Sequence, residues 1–239
     1  MNSYLRQLSF GEIIRGCFDI YLHHFFTILI IYALPVFPIS YISNLVFAQG
    51  EWALYLVLVI ISFLLGSLAY AAITITLSDI CLGSKPGIIR SYRYVFGPVI
   101  WKLVATNLVQ SLIIMIGLVL AVVPGLIFTI WLMFVSIIVV LENTWGRDAF
   151  KRSKSLGKDY YLRNAGLFLF VILFNFLFGE GVQALFEIIN YGQLSIALAI
   201  GVPILVQPIV LIMLVLTYYD LRARKEGYDS AALAEDLQH

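Results

Sequence analysis

Charge is what this chain has least of. Asp, Glu, Lys and Arg make up 12% of its 239 residues, against about 25% in an ordinary soluble domain. A soluble fold needs more polar surface than that to cover its core. The Lys and Arg that are present form short clusters between apolar blocks, so no continuous basic face offers a nucleic-acid footprint. Two cysteines, Cys17 and Cys81, are too few for a disulfide framework and have no metal-ligand spacing. Histidine occurs only as His23, His24 and His239. Neighbouring histidines point to different faces of a helix, so the 23–24 pair does not close on a metal as an i, i+4 pair would. There is no P-loop, no G-x-S-x-G and no H-E-x-x-H, and no nucleophile with a base is visible. The expectation is a protein without cofactor or metal and not an enzyme. Arg6, Glu12, Arg15 and Asp19 interrupt any apolar core that a cleavable signal would need.

What is abundant is apolar: 62% of residues are hydrophobic and the mean hydropathy is +0.96. Runs of roughly 20 such residues cross a bilayer. Spans are expected at 25–48, 53–78, 99–121, 125–141, 165–179 and 194–219, the fifth with the least certain end. Spans three and four are joined by Val122 to Gly125, read as a tight turn. Six spans put both termini on one side. Arg6 and Arg15, Lys85 to Lys102, the run Arg147 to Arg163, and Arg222 to Lys225 all fall on that side, and Glu51, Glu180 and Glu187 on the other. The positive-inside rule makes the cation-rich side cytoplasmic, with Cys17 and Cys81 both labelled from that side only.

Each odd-numbered span follows an amphipathic stretch. In "SFGEIIRGCFDIYLHHFF", Ser9 and Glu12 form a capping box, and Ile14, Cys17, Phe18, Tyr21 and Phe25 share a face. In "SKPGIIRSYRYVFG", Ile88, Ile89, Tyr92, Val95 and Phe96 lie together, and in "WGRDAFKRSKSLGKDYY" Phe150, Leu156 and Tyr160 make a weaker stripe. Such helices are expected to lie in the membrane interface, apolar face in lipid, with Arg15, Arg93, Lys151, Lys154 and Lys158 against anionic headgroups. The predicted fold is all-α and integral to the membrane: six transmembrane helices as three hairpins, each preceded by a cytoplasmic interfacial amphipathic helix. The whole chain is one membrane domain, with repeat units 9–82, 84–145 and 146–222 and a cytoplasmic tail, 223–239. The tail is read either as a docking segment or as a frayed terminus.

Asp79, Glu142 and Asp220 close the even-numbered spans. A carboxylate there opposes the helix dipole and is poorly solvated, so each needs a cation. The expected structural ion pairs are Asp79 with Arg90, Glu142 with Arg152, and Asp220 with Arg222 and Arg224 beside it. Within the spans, Asn107, Gln110, Ser111, Asn175 and Gln207 either bond between helices or line a polar path. Pro35, Pro38, Pro203 and Pro208 interrupt helical bonding in the first and last spans, as kinks or as the broken helices of a transporter site.

Residues 121–166, "AVVPGLIFTIWLMFVSIIVVLENTWGRDAFKRSKSLGKDYYLRNAG", resemble the YciC-like family of bacterial inner-membrane proteins in the V-P-G turn, the apolar span, the acidic residue and the R-S-x-x-L-type helix. The ending "TYYDLRARKEGYD", residues 217–229, is similar to the tails of proteins with a glycerophosphodiester phosphodiesterase membrane domain. The resemblance implies a multi-pass protein of the bacterial inner membrane. It implies no phosphodiesterase activity, because the catalytic barrel and its H-R-G-type motif are missing from the sequence. The leading expectation is a non-catalytic component of membrane organisation or of a larger membrane assembly. Its partners would be membrane lipids and a protein in the membrane or at the tail, with no nucleic acid. The alternative is a transporter or lipid-handling protein that uses a polar path between the hairpins.

Overall fold

The computed structural model describes residues 4–182, 184 and 193–237, and among them all regular structure is helical. Most of the segment from Gly179 to Gln193, Glu187 with it, lies outside the described residues, as does His239. The helices are α1 (Phe10–His23), α2 (Phe25–Ala48), α3 (Trp52–Cys81), α4 (Ile88–Tyr94), α5 (Ile100–Leu120), α6 (Val122–Leu132), α7 (Val135–Leu141), α8 (Gly146–Gly157), α9 (Tyr161–Asn175), α10 (Gln193–Glu226) and α11 (Ser230–Asp236). Six stretches are long and apolar enough to cross a membrane: Phe25–Ala48, Trp52–Cys81, Ile100–Leu120, Val122–Leu141, Gly146–Gly179 and Ile200–Glu226. They make the chain compatible with a multi-pass membrane protein. The fifth includes α8, whose Arg147, Lys151, Lys154 and Lys158 are exposed, so its apolar part begins with α9.

The core lies at the cation-bearing end. Residues 71–81 of α3, all of α7 and residues 208–213 of α10 are almost wholly buried, which is why their apolar residues are not confined to one stripe, with Thr74, Thr76, Ser78 and Asp79 as the buried polar members of α3. The other half of α3 and much of α2, α5 and α9 expose large apolar side chains such as Phe26, Leu56, Val119 and Leu162. Water would tolerate so large an apolar surface poorly, and lipid accepts it. α2 packs chiefly on α3, and α5 on α6.

The connection of α5 to α6 is tighter than expected. Only Ala121 leaves the helical region (φ −170, ψ 151), and Val122 to Gly125 form the first turn of α6. Pro124 falls where a helix has no acceptor for an N–H. The close approach needs glycine, since a Cβ on Gly125 would stand 2.8 Å from Leu118 Cα. The prolines of α2 and α10 do not end those helices, both of which run on through them. Span four, whose Pro124 lies in its first turn, is instead interrupted further on, at Met133 and Phe134 between α6 and α7.

The capping box of Ser9 and Glu12 is present, with Ser9 N–H donating to Glu12 Oε2 at 2.7 Å. That bond, together with the Arg6 guanidinium, holds the Glu12 carboxyl down at about 2. The apolar face of α1 meets protein and not lipid. Leu8 lies at Asp220, Cys17 donates to Ile209 O at 3.0 Å, and Tyr21 donates to Leu205 O at 2.9 Å. These contacts align α1 antiparallel to α10 over about 22 Å, at 1.5 Å per residue. It therefore runs beside a candidate span instead of across the surface. α8 likewise turns Ala149, Ser153 and Leu156 onto α6 and α7. Along α4 and the turn after it the expected stripe is split, with Val95 buried and Ile89 76% exposed. The tail is folded back: Asp229 caps α11 and Leu233 is fully buried.

Candidate functional site

Two arrangements gather the residues singled out in the sequence: an ion-pair lattice at the cation-bearing end and a polar cavity midway along the spans.

In the lattice, Asp220 is buried on α10 and accepts from Leu8 N–H (2.6 Å), from Arg224 Nε (2.9 Å) and from Arg163. Arg163 and Arg224 each also donate to the Leu8 carbonyl, at 2.9 and 2.8 Å. A buried carboxylate between two guanidiniums thus holds both backbone polar groups of the residue before the α1 cap. Arg222, expected at Asp220, points elsewhere: it bonds Glu226 (2.9 Å) and Asp236 (2.5 Å) and stacks on Tyr228 at 3.7 Å. The reason is helical spacing, because residue 224 lies one turn from residue 220 and residue 222 projects to the opposite face. Burial, and then its bond to Asp236, push the Tyr228 phenol well up.

Glu142 takes Arg152 Nε on both oxygens, at 3.1 and 2.8 Å, and the Tyr218 hydroxyl at 2.8 Å. Arg152 reaches on to Glu226 at 2.8 Å, so Glu142, Arg152, Glu226, Arg222 and Asp236 alternate in sign and join the tail to α7 and α8. Asp79 differs. Its side chain is 1% exposed and Arg90 Nη1 stands 3.3 Å away, yet neither carboxylate oxygen has a hydrogen-bond partner among the described residues. The distance alone marks an ion pair, and the missing alignment makes it the weakest of the three. The acids are not equivalent by position either. Glu142 directly precedes Asn143, the left-handed residue that ends α7 (φ 51), whereas Asp79 lies a turn before Gly83 (φ 75) and Asp220 two turns before Gly227 (φ 65).

Arg15, Arg93, Lys151, Lys154 and Lys158 are all exposed. Lys154 nevertheless covers the Trp131 ring at 3.7 Å, and Lys151 lies 3.9 Å from Asp148.

The cavity measures 490 Å³ and lies between α2, α3, α5, the α6–α7 break, α9 and α10. Asn107, Gln110, Ser111, Asn175 and Gln207 all line it, although they come from three helices far apart in the chain. Ser136 donates to Asn107 Oδ1 (2.9 Å) and Gln207 to Asn175 Oδ1 (2.9 Å). Asn107, Gln110, Asn175 and Gln207 thus bond between helices while lining the cavity, whereas Ser111 bonds Asn107 O within its own helix. At the break in span four, two carbonyls are taken by side chains: Leu132 O by Gln110 Nε2 at 3.0 Å and Trp131 O by Ser153 at 2.8 Å. Gln110 Oε1 is buried without a partner among the described residues. Tyr32, Tyr70, Ser67, Thr129 and Ser136, which the sequence did not single out, complete the polar lining. Their one signal was a polar or hydroxylated residue inside an apolar run, too common in spans to select. Among the described residues that line the cavity there is no Asp, Glu, Lys, Arg or His.

No family model, no curated protein and no solved structure matches this chain.

Proposed function

We propose that the chain is a multi-pass protein of the bacterial inner membrane, both termini cytoplasmic, that takes a small polar or amphipathic molecule into the cavity between its spans, as a transporter or lipid-handling protein. The reading is one of binding and passage, without a catalytic step. The observation that carries it is the convergence of Asn107, Gln110, Ser111, Asn175 and Gln207 on one cavity of 490 Å³, within the 300–1,000 Å³ of small-molecule sites. Polar side chains at membrane depth cost free energy unless they are bonded or used. The break at Met133 and Phe134 supports the same reading, because discontinuous helices at mid-membrane frame substrate sites.

In this reading the spans form three two-helix units, the lattice of Asp220, Glu142 and their arginines fixes the cytoplasmic frame, and the exposed cations face anionic headgroups. The kinship with YciC-like proteins belongs to the same proposal.

The test is native mass spectrometry of the protein released gently from its own membrane. The wild type retains a small molecule or a lipid. Gly66 lines the cavity, and a Cβ there would meet nothing within 4 Å, so Gly66→Leu occupies the space and loses the molecule while the protein still folds, as its circular dichroism would show. A protein partner at fixed stoichiometry with no retained molecule would replace this reading by that of an assembly component.

A further inference from the structure

We infer that the occupant of the cavity is uncharged and bears several hydrogen-bonding groups, as a polyol-like solute or as the uncharged headgroup of a lipid; the inference rests on the binding reading above.

Charge is the first discriminator. An ion moved into a low-dielectric site without a counter-charge loses several kcal/mol of hydration. The arginines of the lattice and the carboxylates they pair with lie at one end of the bundle, where Asp220, Glu142 and their arginines already satisfy one another. The cavity itself offers amides and hydroxyls from α2, α3, α5, α7 and α10: Asn107, Gln110, Ser136 and Gln207, with Tyr32 and Tyr70. Neither a cation nor an anion finds a partner of opposite sign there.

A wholly apolar occupant is disfavoured by the polar part of the same lining. Several of these groups are already bonded to protein, but hydrocarbon would return no bond to the hydrogen-bonding sites that still face the space, at about 1–3 kcal/mol for each one left unpaired. Gln110 makes the point at one atom. Its Nε2 is fixed by the Leu132 carbonyl, so Oε1 cannot swing away, and that oxygen is buried without a partner among the described residues. What it lacks is a donor, and a small shift of the Gln110 side chain would bring it to an occupant's hydroxyl or amide N–H.

Size and shape fit both sources of such chemistry. At about 30 Å³ per water, the volume corresponds to about 16 waters, room for a sugar-sized molecule. One side of the lining is apolar, with Phe63, Phe168 and Val171, and Phe63 is 36% exposed on the outer face of α3. A headgroup could therefore sit inside while its chains remain in lipid.

Two matched pairs of probes test this on the full chain in nanodiscs. The first pair is photoactivatable diacylglycerol and photoactivatable phosphatidic acid with identical tails, read as cross-links mapped to α5, α7 and α9. The second is sorbitol and gluconate, read as protection of Ser111→Cys from alkylation, with Ser136→Cys as a second reporter should the first not fold. The neutral member of a pair should exceed its charged counterpart by about tenfold or more, as one lost ionic hydration shell dictates. Preference for diacylglycerol assigns a lipid source and protection by sorbitol a free solute, and either supports the inference. Equal or stronger labelling by phosphatidic acid, or equal or stronger protection by gluconate, overturns the inference and leaves the binding reading standing. No labelling and no protection by any of the four overturns the binding reading itself.

Discussion

The backbone N–H of Leu8 donates to the carboxylate of Asp220 at 2.6 Å, 212 residues further along the chain. That bond, closed by Arg163 and Arg224 on the Leu8 carbonyl, ties the start of α1 to the end of the last span. Removing the carboxylate leaves two largely buried guanidiniums facing each other. Breaking a buried ion pair from one side costs about 3–5 kcal/mol, so Asp220→Asn should lower the unfolding midpoint strongly in detergent. Asp79→Asn should cost less than about 1 kcal/mol or stabilise the protein, because it removes a desolvated charge that has no hydrogen bond to lose. Equal losses at the two sites would mean that the lattice does not distinguish them.

Which parts of this were legible in the sequence follows from the range of the forces. The spans were legible because hydropathy is a local sum, and the capping box of Ser9 and Glu12 because its two residues are one turn apart. Glu142 and Arg152 were paired correctly across a short loop. The partners of Asp220 were not, since Arg163 and Leu8 reach it only through tertiary packing. The amphipathic stretches were visible, but an apolar stripe looks the same whether it faces lipid or another helix, so the course of α1 along α10 was hidden. The break in span four was hidden for a related reason. Proline is a local signal, yet α2 and α10 absorb theirs, while the interruption at Met133 is held by Gln110 and Ser153 from other helices.

The burial of both thiols sets an accessibility prediction. Cys17 and Cys81 are 0% and 1% exposed, so in the folded protein neither should react with a maleimide from either side of the membrane, contrary to the labelling expected from the cation-rich side. Reaction should become complete on unfolding. Rapid labelling of either cysteine in the native state would contradict the packing of α1 on α10 or of α3 in the core.

The hairpin of α5 and α6 predicts opposite signs for two glycine substitutions. Gly125→Ala forces a Cβ to within 2.8 Å of the Leu118 backbone, and such overpacking costs about 1–3 kcal/mol. Gly166→Ala in α9 meets nothing within 4 Å and should stabilise the helix by up to about 1 kcal/mol. Thermal unfolding of the two variants beside the wild type decides it, and a neutral Gly125→Ala would mean that α5 and α6 are further apart than described.

Across the cavity, Gln207 and Asn175 join α10 to α9 through a single 2.9 Å bond. Interhelical bonds of this kind are worth about 0.6 kcal/mol and up to about 2. A double-mutant cycle with Gln207→Leu and Asn175→Leu should return a favourable coupling of that size. Additive losses would show that the two side chains act on the cavity independently.

The break in span four gives the sharpest local test, because its carbonyls are held by side chains and not by the helix. Ser153 is 1% exposed and donates to Trp131 O. Ser153→Ala takes that donor away with almost no change of volume and leaves a carbonyl unpaired in apolar surroundings, at about 1–3 kcal/mol. If the break is maintained by these bonds, the loss should be felt at the junction first. Amide exchange of Val135 to Ile138 should accelerate while the middle of α3 stays protected, since local opening precedes global unfolding where bonds are fewest. Uniform acceleration over the whole chain would mean that Ser153 supports only overall stability. Slower exchange at the junction would mean that the two half-helices join once the serine is gone, and that the break is imposed by α8 and not stabilised by it.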